Sequence, residues 1–193
     1  MRAAILYENC SPDELQVADS PDPNPGPTDV LVDVQYSGVD CEDFTRRVRD
    51  LSLANEEPPC IPGCEGAGTI AGVGRQVDPS YVGQRAAFLT RSGGHATRVC
   101  VPATQVVFGV PDEIRPSVAG GMMRVGLTAV RLSRLAGLRP KQSVLIHGGA
   151  GGVGSLLVQL CKLREASVLA TVGSEAEVSL DPSKLGGEKG GPQ

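Results

Sequence analysis

The chain has 193 residues, a formal net charge of −4, and a composition that is 40% hydrophobic and only 3% aromatic. This length suits one domain, or one domain with part of a second, and the apolar content predicts a packed core rather than a disordered chain. Because the chain is mildly acidic and its longest basic cluster covers only residues 46–49, nucleic-acid binding is excluded as the main function.

The sequence also bears on compartment. No stretch approaches the roughly 18 consecutive apolar residues that a membrane span requires. The opening residues reach Glu8 too soon to form a signal-peptide core. Six cysteines are scattered along the chain without a C-x-x-C pair, so reduced thiols and a cytoplasmic location are expected.

Residues 1–115 read as a β-rich module. In the stretch 29–36, Val30, Val32, Val34 and Tyr36 alternate with polar residues, which predicts a strand with one buried face. Further strands are predicted at 2–7, 68–73, 85–90, 95–101 and 104–108. Turns rich in glycine and proline separate them, and many short strands punctuated in this way predict a small β-barrel.

The pattern changes at residue 116. A helix is predicted from Pro116 to Gly137, with Gly120-Gly121 weakening its first turn. An apolar strand at 143–147, a glycine-rich run, a helix and a second strand at 167–171 then form one βαβ unit of about 30 residues. The two strands are expected to expose apolar surface, and the tail at 177–193 to be disordered. The apolar residues in question are Val144, Leu145, Ile146, Val168 and Leu169.

The glycine run carries the main functional signal. Gly149, Gly151 and Gly154 fit the G-x-G-x-x-G pattern between a strand and a helix, the context in which this pattern predicts dinucleotide binding. The first glycine permits the tight turn, the second lets a pyrophosphate approach the backbone, and the third lets helix and strand pack closely. The alternative is a loop that merely connects strand to helix. An ATP-binding P-loop is disfavoured because Ser155, rather than Lys, follows Gly154.

These motifs, in this order, resemble a known family. The β module, the helix with Gly126-Leu-Thr-Ala129 and the loop at 144–154 resemble the medium-chain dehydrogenase/reductase superfamily, in its zinc-free quinone oxidoreductase branch. The stretches 62–68, 89–93 and 158–161 are similar to the vesicle amine transport protein (synaptic vesicle membrane protein) group of that branch.

The resemblance implies a fold and an activity. The fold would be a GroES-like β-barrel over 1–115, a connecting helical segment over 116–140 and a partial Rossmann NAD(P)-binding domain over 141–176. The activity would be hydride transfer from NADPH to a small-molecule quinone or activated alkene, as in an enoyl reductase domain.

The resemblance also implies site residues. Asp40, Asp43 and Thr128 would be catalytic, with Thr128 facing the nicotinamide and the two aspartates lining the substrate side. The cofactor-binding residues would be Thr128, Gly148, Gly149, Ala150, Gly151, Gly152, Val153, Gly154 and Ser174. Asp40 stands where the family usually has Asn, and an ionised Asp only accepts hydrogen bonds. For Asp43 the alternative is a carboxylate that only stabilises a turn.

Zinc is not expected. The ligand positions of the zinc-dependent members map onto Asp40, Cys64 and Arg124, and an arginine does not ligate a metal, which leaves two of the three protein ligands that a catalytic zinc requires. His95 and His147 are expected to be packed or hydrogen-bonded rather than bases.

The choice of cofactor stays partly open. Ser174 suits the 2′-phosphate of NADPH, but NADH also remains an alternative because Glu175 could hold its ribose hydroxyls.

A complete dinucleotide fold needs about six parallel strands, whereas few residues follow the second one. The sequence therefore predicts a C-terminally truncated chain with weak or no activity of its own. The alternative function is a non-catalytic interaction module derived from such an enzyme. Peripheral membrane association and a homodimer are left open.

Overall fold

The computed structural model describes residues 1–7, 15–40, 43, 59–174 and 177. The chain forms two compact units, Met1–Arg124 and Val125–Gln193. The described residues do not include Cys10, Cys41 or Glu175. They also do not include the tail that was predicted to be disordered, apart from residue 177. The domain boundaries given above stay a prediction.

The first unit is built from antiparallel strands. Strands β1 and β2 pair with each other, and a five-stranded sheet has the order β6-β3-β4-β5-β7. Their bounds are Arg2–Leu6 for β1, Leu15–Asp19 for β2, Asp29–Ser37 for β3, Glu65–Val73 for β4, Arg85–Leu89 for β5, Arg98–Pro102 for β6 and Val106–Phe108 for β7. Five of these strands confirm the predicted ones, and β2 was not predicted. The predicted strand over 104–108 begins instead with a 3-10 turn, Ala103–Gln105.

One face of the five-stranded sheet forms the main core. Its buried side chains, which include Phe88, Val30 and Val101 at 0% exposure, come from four of the five strands. The expected alternation of β3 is confirmed at Val30 and Val32 but is wrong at Tyr36, whose exposure is 52%. The register of β3 against β4 shifts between Val34 and Tyr36, and such an irregularity reverses the face on which a following side chain lies.

Two short helices follow the sheet where one was predicted. Helix α1 spans Pro116–Gly120 and helix α2 spans Met123–Leu135, so the predicted helix is interrupted at Gly121 and Met122. Proline at the first position of α1 suits a helix start because its missing N–H would have no helical partner there. In the first unit, Ala119 of α1 packs with Ala67 and Ala87 of the sheet.

The second unit is a parallel βαβ unit. Strand β8 (Ser143–Ile146), helix α3 (Gly152–Leu163) and strand β9 (Ser167–Ala170) follow one another, and β8 pairs with β9 in parallel. Val158 and Cys161 of α3 pack on Ile146 and Val168.

The expected apolar exposure of these strands is only partly right. Leu145 and Leu169 are exposed, but Ile146 and Val168 are buried and Val144 is half-buried, because the helix covers the face that carries them. The predicted fold class, a β module followed by a parallel βαβ unit, is confirmed. Among the described residues, no helix is long and apolar enough to cross a membrane.

Candidate functional site

The glycine loop joins β8 to α3 within the second unit. The N–H of Gly149 donates to the carbonyl of Thr171 at 2.8 Å, and the N–H of Gly151 donates to the carbonyl of Gly148 at 3.0 Å. Gly148 has a φ of +68°, a left-handed conformation that glycine adopts at little cost. These contacts fold the loop back against the chain that follows β9.

Two glycines of the loop are required by packing. A Cβ at position 149 would lie 2.6 Å from the Cβ of Ala170, and a Cβ at position 154 would overlap the carbonyl oxygen of Gly148. Both glycines are buried. The roles predicted for Gly149 in the tight turn and for Gly154 in close packing therefore have a geometric basis in this structure.

Gly151 differs from these two. It is exposed, and the nearest atom to a Cβ at this position is the Gly148 carbonyl oxygen at 3.3 Å. Gly151 is the N-cap of α3, where the first N–H groups of a helix lack partners within the helix and carry its positive dipole end. Gly152, Val153 and Gly154 open the helix. A helix N-terminus of this kind favours an anion such as a pyrophosphate.

The remaining predicted cofactor residues also lie in this unit. Ala150 is half-buried in the loop, and Ser174 is exposed shortly after β9. Thr128 is exposed in the second turn of α2.

Sequence reasoning missed Thr171. Its hydroxyl accepts from the N–H of Gly148 at 3.3 Å and lies 3.2 Å from Nδ1 of His147. The sequence feature that could have indicated this role is the position of Thr171, a hydroxyl residue at the end of the second predicted strand.

The first unit brings Asp40 and Asp43 together. The N–H of Asp40 donates to Oδ2 of Asp43 at 3.0 Å, and the N–H of Asp43 donates to the Asp40 carbonyl at 3.2 Å. Oδ1 of Asp43 also accepts from the N–H of Gly63 at 3.2 Å. Asp43 is only 3% exposed, so its carboxylate has the contacts of a turn-stabilising group.

The ionisation of Asp43 follows from its neighbours. Burial opposes its charge, but the contact with His95 and the N–H groups of Asp40 and Gly63 together lower the pKa of this carboxyl. Nε2 of His95 lies 3.5 Å from Oδ2 of Asp43, and Nδ1 of His95 lies 2.7 Å from the hydroxyl of Ser37. The expectation that His95 is a hydrogen-bonded histidine matches these contacts.

Asp40 also contacts a cation. Its Oδ2 lies 3.2 Å from Nε of Arg124, so two of the residues at the mapped metal positions form an ion pair. The third, Cys64, is buried, and its thiol donates to the carbonyl of Arg91 at 3.6 Å. Within the part of the chain that the structure describes, no group of three or more His, Cys, Asp or Glu residues could hold a metal.

Glu65 was not predicted as a site residue. It begins β4, is 3% exposed, and accepts from the N–H of Arg124 at 2.7 Å through Oε2. Burial raises the pKa of this carboxyl, which the backbone of Arg124 opposes. Glu65 and Arg124 are 59 positions apart, and a contact over this separation produces no periodic pattern in the sequence. It could therefore be recognised only in the structure.

Comparison with known proteins agrees with this architecture. Residues 26–112 match the model of the alcohol dehydrogenase GroES-like domain. The chain is 34% identical over 165 residues to a probable quinone oxidoreductase of Schizosaccharomyces pombe, covering 84% of this chain and 49% of the relative. It is 36% identical over 155 residues to the synaptic vesicle membrane protein VAT-1 homolog of Rattus norvegicus, covering 79% of this chain and 37% of the relative.

A solved structure shows the same fold. The quinone oxidoreductase of Thermus thermophilus, determined also in complex with NADPH, superposes with a TM-score of 0.83 at 29% identity, covering 100% of this chain and 60% of that one. The chain spans half or less of the length of the two curated relatives.

Proposed function

Because this chain belongs to the medium-chain dehydrogenase/reductase superfamily, in the branch of the quinone oxidoreductases and VAT-1 homologs, we propose that it binds NADPH and serves hydride transfer to a small-molecule quinone or activated alkene. The observation that carries the proposal is the glycine loop. Gly149 and Gly154 leave no room for a side chain. Gly151 is exposed at the start of α3, where the first N–H groups of a helix lack partners within the helix.

Each residue has a stated part in this proposal. The loop from Gly148 to Gly154 would hold the pyrophosphate, since a helix N-terminus favours an anion. Ser174 would donate its hydroxyl to the 2′-phosphate, which favours NADPH over NADH. Thr128 would lie at the nicotinamide end. When bound, the cofactor supplies the hydride, and the chain supplies binding and orientation.

Asp40 and Asp43 would line the substrate side. Their exposures support different roles for the two residues. The side chain of Asp40 is 18% exposed, whereas that of Asp43 is only 3% exposed. Asp40 could therefore contact a substrate directly. Asp43, which accepts two backbone N–H groups, would act by holding the turn that carries Asp40.

The first test is binding. The chain has no tryptophan, so NADPH fluorescence can be followed without interference from that residue. We expect a saturable change in the wild-type protein and a loss of affinity of roughly tenfold or more in Gly151→Val, because a branched side chain would fill the phosphate cradle.

The matched control is Gly72→Val. A Cβ at position 72 on β4 meets its nearest atoms only at 4.0 Å, so this variant should fold and bind NADPH as the wild type does. Equal affinity of Gly151→Val and the wild type would contradict the phosphate-loop assignment. No NADPH binding by the wild type would favour the non-catalytic interaction module instead.

The second test is turnover. Loss of NADPH absorbance with a quinone or an enone as acceptor measures the proposed activity and separates the two substrate classes. A homodimer, peripheral membrane association and a cytoplasmic location stay predictions.

A further inference from the structure

The chain that leaves β9 passes directly beside the glycine loop. The N–H of Gly149 donates to the carbonyl of Thr171 at 2.8 Å, and the N–H of Gly148 donates to the hydroxyl of Thr171 at 3.3 Å. The turn after Thr171 therefore begins next to the backbone that would hold the pyrophosphate. In a dinucleotide-binding βαβ unit, groups beyond the end of the second strand recognise the adenosine ribose and distinguish NADH from NADPH.

A carboxylate is fixed in this turn. Oε2 of Glu177 accepts from the N–H of Gly173 at 2.9 Å. The N–H of Glu177 donates to the carbonyl of Ser174 at 3.1 Å and lies 3.4 Å from its hydroxyl oxygen, which accepts from it. The side chain of Glu177 thus folds back onto the chain that leaves β9, and backbone contacts at both of its ends set the position of the carboxylate.

The charge of this carboxylate is not neutralised by the rest of the described chain. Glu177 is half-buried, and none of the ion pairs among the residues that the structure describes involves it. Its hydrogen-bond partner, the N–H of Gly173, is a neutral donor. A second anion that enters this turn therefore meets a negative charge and must compete with it for the same N–H group.

The two cofactors differ in the group that they would bring to this turn. NADPH carries a 2′-phosphate with nearly two negative charges near neutral pH, whereas NADH carries a hydroxyl at the same position. An ionised carboxylate accepts a hydrogen bond from a hydroxyl but repels a phosphate. Ser174 acts in the opposite sense, because its hydroxyl accepts from the N–H of Glu177 and keeps its own proton to donate to a phosphate oxygen.

We propose that Glu177 is a specificity-determining residue of the cofactor site, whose carboxylate weakens binding of the 2′-phosphate and so lets the chain take NADH as well as NADPH. The inference rests on the proposed function, since it concerns how the same site recognises the ribose. Sequence reasoning placed this role on Glu175, whereas the contact with Gly173 assigns it to Glu177.

A purely local role for Glu177 makes a different prediction. A serine followed three residues later by a glutamate commonly satisfies backbone N–H groups where a chain turns into a helix. In that role only the oxygen that accepts from Gly173 matters, and the amide oxygen of a glutamine replaces it. In the proposed role the charge matters, and glutamine removes it.

The test compares the affinities of NADPH and NADH, each followed by the fluorescence of its reduced nicotinamide. We expect Glu177→Gln to bind NADPH roughly five- to tenfold more tightly than the wild type, because a like charge near the phosphate is removed. Its affinity for NADH should stay within about twofold. The matched control is Glu165→Gln, which removes the same charge before the start of β9, at the opposite end of that strand. It should keep the wild-type ratio of the two affinities.

Glu177→Asp separates charge from hydrogen bonding. Aspartate keeps the charge, but its shorter side chain draws the carboxylate away from Gly173. We expect this variant to keep the wild-type preference between the cofactors while the amide of Gly173 exchanges with solvent several-fold faster, as loss of a hydrogen bond predicts. In Glu177→Gln the exchange of this amide should stay as in the wild type, which shows that the turn is intact.

The possible outcomes separate this inference from the proposed function. An unchanged ratio of NADH to NADPH affinity in Glu177→Gln would overturn the inference and leave the proposed function standing. Equal gains for both cofactors would also overturn it, because Glu177 would then act on the whole dinucleotide rather than at the 2′ position. A shift in preference in Glu177→Asp without one in Glu177→Gln would assign the local role instead. Binding of neither cofactor by the wild type and by Glu177→Gln would contradict the proposed function, and the inference with it.

Discussion

The N–H of Lys141 donates to the carbonyl of Glu165 at 2.8 Å, and both residues adopt positive φ, 63° and 56°. Lys141 precedes β8 and Glu165 precedes β9, so this bond ties together the chain at the starts of two parallel strands. In the described part of the chain, they are the only residues other than glycine with positive φ. The left-handed region is costly for residues with a Cβ.

Replacing either residue with glycine should therefore stabilise the protein. For Lys141→Gly and Glu165→Gly we expect a gain of about 0.5–1 kcal/mol each in the free energy of unfolding, because relief of strain exceeds the added entropy of the unfolded chain. Urea denaturation measures the change.

The matched control is Gly137→Ala. Gly137 has a φ of +56°, and a Cβ at this position would have no atom within 4 Å, so only backbone strain is added. We expect this variant to lose roughly 1 kcal/mol. A loss of stability in both Lys141→Gly and Glu165→Gly would contradict the strain argument.

Gly154→Ala should damage the fold of the loop rather than binding alone. The added Cβ would overlap the carbonyl oxygen of Gly148, which is backbone and cannot turn aside. We expect a loss of about 1–3 kcal/mol in the free energy of unfolding, as for other overpacked sites. Gly151→Ala, whose Cβ would lie 3.3 Å from the same oxygen, should lose less. Equal losses would contradict the distinct roles of the two glycines.

The glycine loop could be predicted from sequence because its contacts are local. Gly149 and Gly154 are close neighbours in the chain, and the flanking strand and helix each show their own periodicity. The hydrogen bonds between distant polar residues of the first unit could not be predicted from sequence. Ser37 contacts His95 across 58 residues, and Glu65 contacts Arg124 across 59. The predicted burial of Tyr36 was wrong for another reason. The register shift between β3 and β4 is set by how the two strands pair, which the alternation of residues within β3 does not indicate.

Glu65→Gln should stabilise the protein above the ordinary pKa of the carboxyl. The pKa of Glu65 is raised from 4.5 in the folded state, chiefly by burial, so the folded state binds a proton that the unfolded state has lost. Its favourable contribution is therefore complete below pH 4.5 and is lost as the pH rises through the folded value. Glutamine keeps an oxygen that accepts from Arg124 but carries no charge.

The measurement is urea denaturation of both proteins across pH. We expect Glu65→Gln to equal the wild type near pH 4 and to exceed it at pH 8 by on the order of 1 kcal/mol. Glu113→Gln, at an exposed position, should show no such growth with pH. A difference that is the same at both pH values would show that the charge of Glu65 is not what destabilises the folded state.

The protein should contain no stoichiometric zinc. Asp40 and Cys64 could supply only two ligands, whereas a catalytic zinc requires three protein ligands. At the third mapped position, the guanidinium of Arg124 lies against Oδ2 of Asp40 at 3.2 Å and so adds a positive charge where a cation would bind. Elemental analysis of protein purified without added metal should find well under one zinc per chain. Arg124→His, which replaces this cation with a metal-binding imidazole, should retain more zinc than the wild type. One tightly held zinc per wild-type chain would contradict the assignment of Arg124 and place the protein with the metal-dependent members of its superfamily.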